Sequence, residues 1–201
     1  MTKINLDDMN QEYFDVLREI GNIGTGNATT ALSQMLNCKV DMNVPQVKLL
    51  EFSHAGELMG GEELIMAGIY LGVQGDIKGS ILFLLEKESA QKLVERLLGT
   101  PSSGDELSEM EQSALKEIGN IITASYLNSL STLTNLVIYP SVPALSVDMA
   151  GAILSVPAIV FGTIADKLLL IQTQFFDGLN GYFILAPDLD SYDKILSSLG
   201  M

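Results

Sequence analysis

Two stretches of this chain carry the same polar residues at the same helical spacing. Asp15, Glu19 and Asn22 fall at i, i+4 and i+7, so on a helix they stack along one face. Ser113, Glu117 and Asn120 repeat that face further along. Leu17, Ile20 and Ile23 lie off the first stripe and can turn toward a core. Asparagine inside a helix is mildly unfavourable, and the glycine beside it (Gly21 or Gly119) costs roughly another 1 kcal/mol relative to alanine. A chain that keeps both residues twice, at equivalent places, keeps them for a purpose. A carboxylate beside an amide suits the docking of another protein. The glycines are expected to lower the wall around each asparagine so that the partner comes close. All four Glu and Asn side chains are expected to be exposed.

Other chemistries find little support. His54 is the only histidine and stands in a mixed stretch with no motif around it, so it reads as a surface residue rather than the base of a Ser-His-Asp or Cys-His enzyme. Cys38 is the only cysteine; it cannot form an intramolecular disulfide, has no histidine nearby to activate it, and reads as a buried structural residue. One Cys and one His do not make a zinc site. The run Gly21-Asn22-Ile23-Gly24-Thr25-Gly26 has the wrong order for a dinucleotide fingerprint, follows no strand and is not succeeded by Gly-Lys-Ser/Thr. Its glycines point to tight helix packing instead of a phosphate cradle.

The elements that carry the stripes are duplicated. Leu17-Arg18-Glu19-Ile20-Gly21-Asn22-Ile23 recurs as Leu115-Lys116-Glu117-Ile118-Gly119-Asn120-Ile121 at an offset of 98 positions, and Val44-Pro45 returns as Val142-Pro143 at the same offset. Downstream, the segment from Gly79 to Gly99 resembles that from Gly181 to Gly200. Periodicity predicts a long helix from about Asn10 to Leu36. A second opens at the capping box Ser108-Glu109-Met110-Glu111 and runs to about Leu133. Strands are expected at Val47–Phe52, Leu64–Val73, Ile77–Leu85, Leu136–Tyr139, Leu168–Phe176 and Tyr182–Ala186, and short helices at Ser89–Leu98 and Ser191–Leu199. The chain thus reads as a single α/β domain of two pseudo-twofold repeats, about 10–99 and 108–200, joined by a linker near 100–107. Each repeat has a long N-terminal helix, strands of one shared sheet and a closing helix. A half of this size buries too little surface to be comfortable alone.

Composition agrees with a folded chain. Of 201 residues, 47% are hydrophobic and 18% charged, which excludes global disorder. The net charge of −14 argues against nucleic acid and anionic membrane as main partners, because both require a basic face. The first residues lack the apolar stretch of a signal peptide. The longest uncharged run, Met149 to Ala165, is broken by glycine and proline and is shorter than the ~20 residues of a spanning helix. It reads as a buried helix and its exit. The expectation is a cytoplasmic protein without membrane insertion.

The pattern Asp/Ser-x-x-x-Glu-x-x-Asn, followed by 22 residues and a proline, stands twice: Asp15, Glu19, Asn22 and Pro45, then Ser113, Glu117, Asn120 and Pro143. It resembles the CheC/CheX/FliY family of bacterial chemotaxis phosphatases, and the two-copy layout is similar to that family's CheC branch. Tyr139-Pro140-Ser141-Val142-Pro143 and Asp148-Met149 add to the likeness. The resemblance implies hydrolysis of the aspartyl phosphate on the response regulator CheY. Asn22 and Asn120 orient the attacking water, while Glu19 and Glu117 pair with the regulator's lysine. It implies no cofactor of the chain's own, since the phosphorylated regulator brings Mg²⁺. A second partner implied by the family is the deamidase CheD, with Asp148, Met149 and Ala152 as the candidate face; the bland alternative there is a core helix capped by one aspartate. The implied state is a monomer or a complex with CheD. Two other functions stay open: a non-catalytic adaptor for CheD or CheY, and a structural relative of the flagellar switch proteins, which lack the Glu-x-x-Asn pair.

Overall fold

The computed structural model describes residues 11–102, 104, 106–161, 167–174 and 180–200. The first half runs α1 (Gln11–Met35), β1 (Asn43–Glu51), α2 (Phe52–Leu58), β2 (Ile65–Gly75), β3 (Gly79–Glu86) and α3 (Lys87–Leu98). The second runs α4 (Glu109–Thr134), β4 (Ile138–Pro140), β5 (Ala144–Met149), α5 (Ala150–Phe161), β6 (Lys167–Gln174), β7 (Asn180–Pro187) and α6 (Leu189–Ser198). The expected helices and strands appear, most ends lying within two residues of their expected bounds. Asn10, Phe175 and Phe176 lie outside the described residues. Two elements were not foreseen, the short helix α2 and the strand β5.

All seven strands join one antiparallel sheet in the order β1-β6-β7-β3-β2-β4, with β5 also on β2. The equivalent strands β3 and β7 pair at its centre, with Phe83 opposite Phe183. Outside them the halves interleave: β1 of the first repeat pairs with β6 of the second, and β4 and β5 of the second pair with β2 of the first. Each repeat therefore completes the other's sheet. Pro45 lies in the irregular stretch of β1 between Asn43 and Gln46, where a residue without an N–H does least harm to a ladder. Pro143 lies between β4 and β5 on the opposite edge.

Both sheet faces are covered. Leu17, Ile20 and Leu32 of α1 and Leu115, Ile118 and Ile122 of α4 are buried over Ile69, Leu71, Ile81 and Phe83 on one face. On the other, Ala55 of α2, Met59 just after it, and Ile153 and Leu154 of α5 cover Met66, Leu82, Leu84 and Ile184. Helix α1 carries Gly21, Gly24 and Gly26, so packing rather than intrinsic propensity holds it. Helix α4 begins on the expected capping box, with Ser108 and Glu111 bonding reciprocally. The long helices end alike: Asn37 and Asn135, at the repeat offset, both take positive φ (48° and 57°), a conformation that asparagine tolerates and that closes a helix. Cys38 is half-buried against the core rather than fully buried, and His54 is exposed on α2 beside Glu51.

The run beginning at Met149 departs from expectation. Met149 ends β5, and α5 follows, but Ala152, Ser155, Val156 (52%) and Ile159 (75%) are exposed. The helix is buried only through its inner side because it lies on the sheet as an outer layer. Residues 162–165 lie outside the described residues. Among the described residues, no helix is long and apolar enough to cross a membrane.

Beneath α1, a cavity of about 30 Å³ is lined by Leu17, Ile20, Tyr126 and Tyr192, among others. The Tyr192 hydroxyl is buried with no hydrogen-bond partner among the described residues, and burial pushes its pKa well above the ordinary tyrosine range. A raised folded-state pKa lends stability that is complete below the unfolded value near ~10 and is lost as pH rises through the folded value. Tyr192→Phe removes the orphan hydroxyl and should raise stability by up to about 1 kcal/mol at neutral pH. It should also flatten the alkaline decline. Urea midpoints at neutral and alkaline pH check both; a less stable variant at neutral pH shows that the hydroxyl is satisfied in solution.

Candidate functional site

Helices α1 and α4 pack together on the sheet, and each turns one apolar side inward. What remains outward is the polar stripe. On α1, Asp15, Glu19 and Asn22 are exposed while Leu17, Ile20, Gly21 and Gly24 are buried. On α4, Ser113 and Glu117 are exposed, but Asn120 is half-buried, against expectation. Helix α4 packs against both α1 and α3. Asp15 accepts a hydrogen bond from Arg18 one turn on, both side chains half exposed; a pair so open to solvent contributes little to stability.

The glycines beside the asparagines face the other way from that expected. Gly21 and Gly119 are both buried. A Cβ on Gly119 would lie 2.7 Å from Cγ2 of Ile69, so this glycine lets α4 sit down on β2 rather than admitting a partner from outside. Gly24 does the same between helices, since a Cβ there would lie 2.8 Å from the Tyr126 ring. Helical geometry allows this: residues adjacent in sequence point about 100° apart, so Gly21 faces inward while Asn22 and, against expectation, Ile23 (36%) stay exposed.

The tertiary structure also brings together residues that periodicity did not mark. Thr25 and Tyr126 share a buried hydrogen bond of 2.6 Å, and Asn27 Nδ2 donates to Ser129 Oγ at 3.3 Å. Tyr126 stacks on Phe183, with ring centroids 4.3 Å apart. A sequence signal existed, because Tyr126 breaks the repeat: its counterpart at the 98-residue offset is Ala28.

Asp148, Met149 and Ala152 lie together at the exposed junction of β5 and α5. Asp148 does not cap the helix. Its carboxylate accepts from the adjacent Met149 N–H, while the first amides of α5, from Ala150 and Gly151, donate to Leu64 and Glu62 carbonyls. Val156 and Ile159 extend an apolar ridge along the same helix.

Chemically, each stripe offers a carboxylate that can accept from a cation and, one turn later, an amide that can both donate and accept. Rigid helices hold both. Among the described residues no histidine accompanies them, and no three His, Cys, Asp or Glu side chains gather as a metal site. Such a surface can complete a site carried by another molecule.

The CheC-like family matches residues 14–49 and 110–147, which span each stripe and its following proline. The CheY-P phosphatase CheC of Bacillus subtilis (strain 168) is 38% identical over 198 residues, covering 94% of this chain and 95% of that protein. Among solved structures, Thermotoga maritima FliY superposes with a TM-score of 0.76 at 21% identity, covering 96% of this chain and 98% of that one. A chain of the CheX–CheY–BeF₃–Mg²⁺ complex from Borrelia burgdorferi gives 0.52 at 18% identity, over 82% and 96%. With both motif segments matched and one relative similar along nearly the whole length, the chain belongs to the CheC-like family.

Proposed function

We propose that this chain hydrolyses the aspartyl phosphate of CheY, using Asn22 and Asn120 to orient water and Glu19 and Glu117 to dock the regulator. The observation that carries this reading is a Glu/Asn pair at equivalent positions of both repeats, with Glu19, Asn22 and Glu117 exposed and Asn120 half-buried. Phosphoryl transfer depends mainly on placing an in-line nucleophile and stabilising charge on the equatorial oxygens. Mg²⁺ held by the regulator supplies much of that stabilisation. The asparagine amide, inserted beside the phosphoryl group, accepts from and donates to the attacking water, as the water-orienting glutamine of GTPases does. The glutamate binds the regulator's lysine, because a carboxylate set directly against phosphate is repelled. The partners are then phosphorylated CheY and CheD in the cytoplasm, with no cofactor of the chain's own.

CheD docking at Asp148, Met149 and Ala152 is the second part of the proposal. Their exposure and the neighbouring ridge of Val156 and Ile159 favour a protein contact there. Asp148→Lys reverses a rim charge and should weaken CheD binding, about tenfold, with phosphatase activity retained. Calorimetric titration measures this; unchanged affinity removes Asp148 from the interface.

Asn22→Ala and Asn120→Ala should each lower phosphate release from phosphorylated CheY in part, and the double change should lower it roughly a hundredfold. Turnover should fall more than regulator binding, because the amide acts in the transition state. Glu19→Ala and Glu117→Ala should weaken binding instead. Stability should move by no more than about 0.5 kcal/mol at the three exposed positions. A normally folded double asparagine variant with parental turnover defeats the phosphatase reading and leaves the adaptor.

Metal analysis of the purified chain should give no stoichiometric transition metal, the motif being one that works through the regulator's ion. A stoichiometric metal overturns this part of the proposal.

A further inference from the structure

Resting on the phosphatase reading, we infer that Tyr126 is a positioning residue for Asn22 alone, so that the two equivalent sites are held unequally. Tyr126 is buried on α4, fixed by its stack on Phe183. Its hydroxyl bonds Thr25 at 2.6 Å, and its ring lies against Gly24. Thr25 follows Asn22 by three residues, so the bond grips α1 within one turn of the exposed amide. The Asn27–Ser129 bond adds a second tie just beyond.

The reciprocal ties are missing. At the repeat offset, Tyr126 and Ser129 correspond to Ala28 and Ala31, whose methyl groups neither donate nor accept. Thr123, the counterpart of Thr25, is fully buried, and its hydroxyl has no hydrogen-bond partner among the described residues. Ser125, the counterpart of Asn27, turns back to the Ile121 carbonyl of its own helix at 2.8 Å. The ties therefore meet α1 three and five residues past Asn22, but meet α4 six and nine residues past Asn120.

The direction matches need. Where α1 has Gly24 and Gly26, α4 has Ile122 and Ala124, so α1 is intrinsically the weaker helix in this stretch. A side-chain tip lies about 5–6 Å from a helix axis, so a rotation of about 10° moves it by about 1 Å. Misplacement of that size costs on the order of a hundredfold in rate. Fixing the rotation of α1 fixes where the Asn22 amide meets its water.

The test uses single-site proteins: Asn120→Ala leaves the first site and Asn22→Ala the second. Adding Tyr126→Phe to the first should lower kcat for phosphate release from phosphorylated CheY by about fivefold or more, with KM within about twofold. Added to the second, it should leave kcat within about twofold. Thr25→Val should reproduce the loss at the first site and Thr25→Ser should avoid it. Hydrogen exchange reads the hold without any activity: Tyr126→Phe should speed exchange of amides 22–26 and spare 120–124. Equal kinetic losses at both sites, or unchanged exchange in α1, overturn the inference. If Asn120→Ala alone has no turnover, Asn22 loses its catalytic role, while exchange still decides whether Tyr126 holds α1.

Discussion

Phe83 and Phe183 face each other across the ladder that joins β3 to β7, and Tyr126 stacks on the second of them. That ladder makes two half-sheets into one surface wide enough to carry both long helices. Either repeat alone would leave an unpaired sheet edge and an uncovered apolar face. The strand exchange outside the centre, β1 onto β6 and β5 onto β2, makes separation costlier still. The proposed sites depend on this because a helix holds a side chain in place only as firmly as it is itself seated.

Seating and display are opposite sides of the same helices. Leu17, Ile20, Leu115 and Ile118 are buried on the sheet, which leaves Glu19, Asn22 and Glu117 in solvent and Asn120 half covered. The glycines belong to the seating. Gly119 brings α4 close to Ile69, and Gly24 admits the Tyr126 ring between the helices. The energy that glycine gives up in helix propensity is offset by closer packing beneath the polar stripe. The proposed function draws on the amides and carboxylates of that stripe.

Duplication gave the chain two near-identical stripes, but a stripe's setting comes from the other repeat. Tyr126 and Ser129 reach α1, whereas Ala28 and Ala31 have no means to return the contact. Thr123 keeps a buried hydroxyl that has no hydrogen-bond partner among the described residues. Sequence equivalence between repeats is therefore not equivalence of environment. The same holds on the sheet's other face, where α2 and α5 occupy matching places but α5 presents the exposed ridge of Val156 and Ile159.

The sequence by itself determined what is local and periodic. It contains the two long helices, their stripes, the capping box at Ser108, most of the strands and the duplication, because each is a spacing along the chain that backbone geometry converts directly into a face. Tertiary structure decided what depends on residues far apart. The direction of Gly119 follows from β2 lying beneath it, and the half-burial of Asn120 from the packed fold as a whole. Strand β5 was illegible because Ala144–Met149 is a short edge strand, exposed along most of its length and without alternation; only its register with Ile65–Tyr70 makes it a strand. The Thr25–Tyr126 bond spans 101 positions, and no period reports it. Pairings of that kind arise where the fold brings two surfaces together, and only then does a residue type acquire its role.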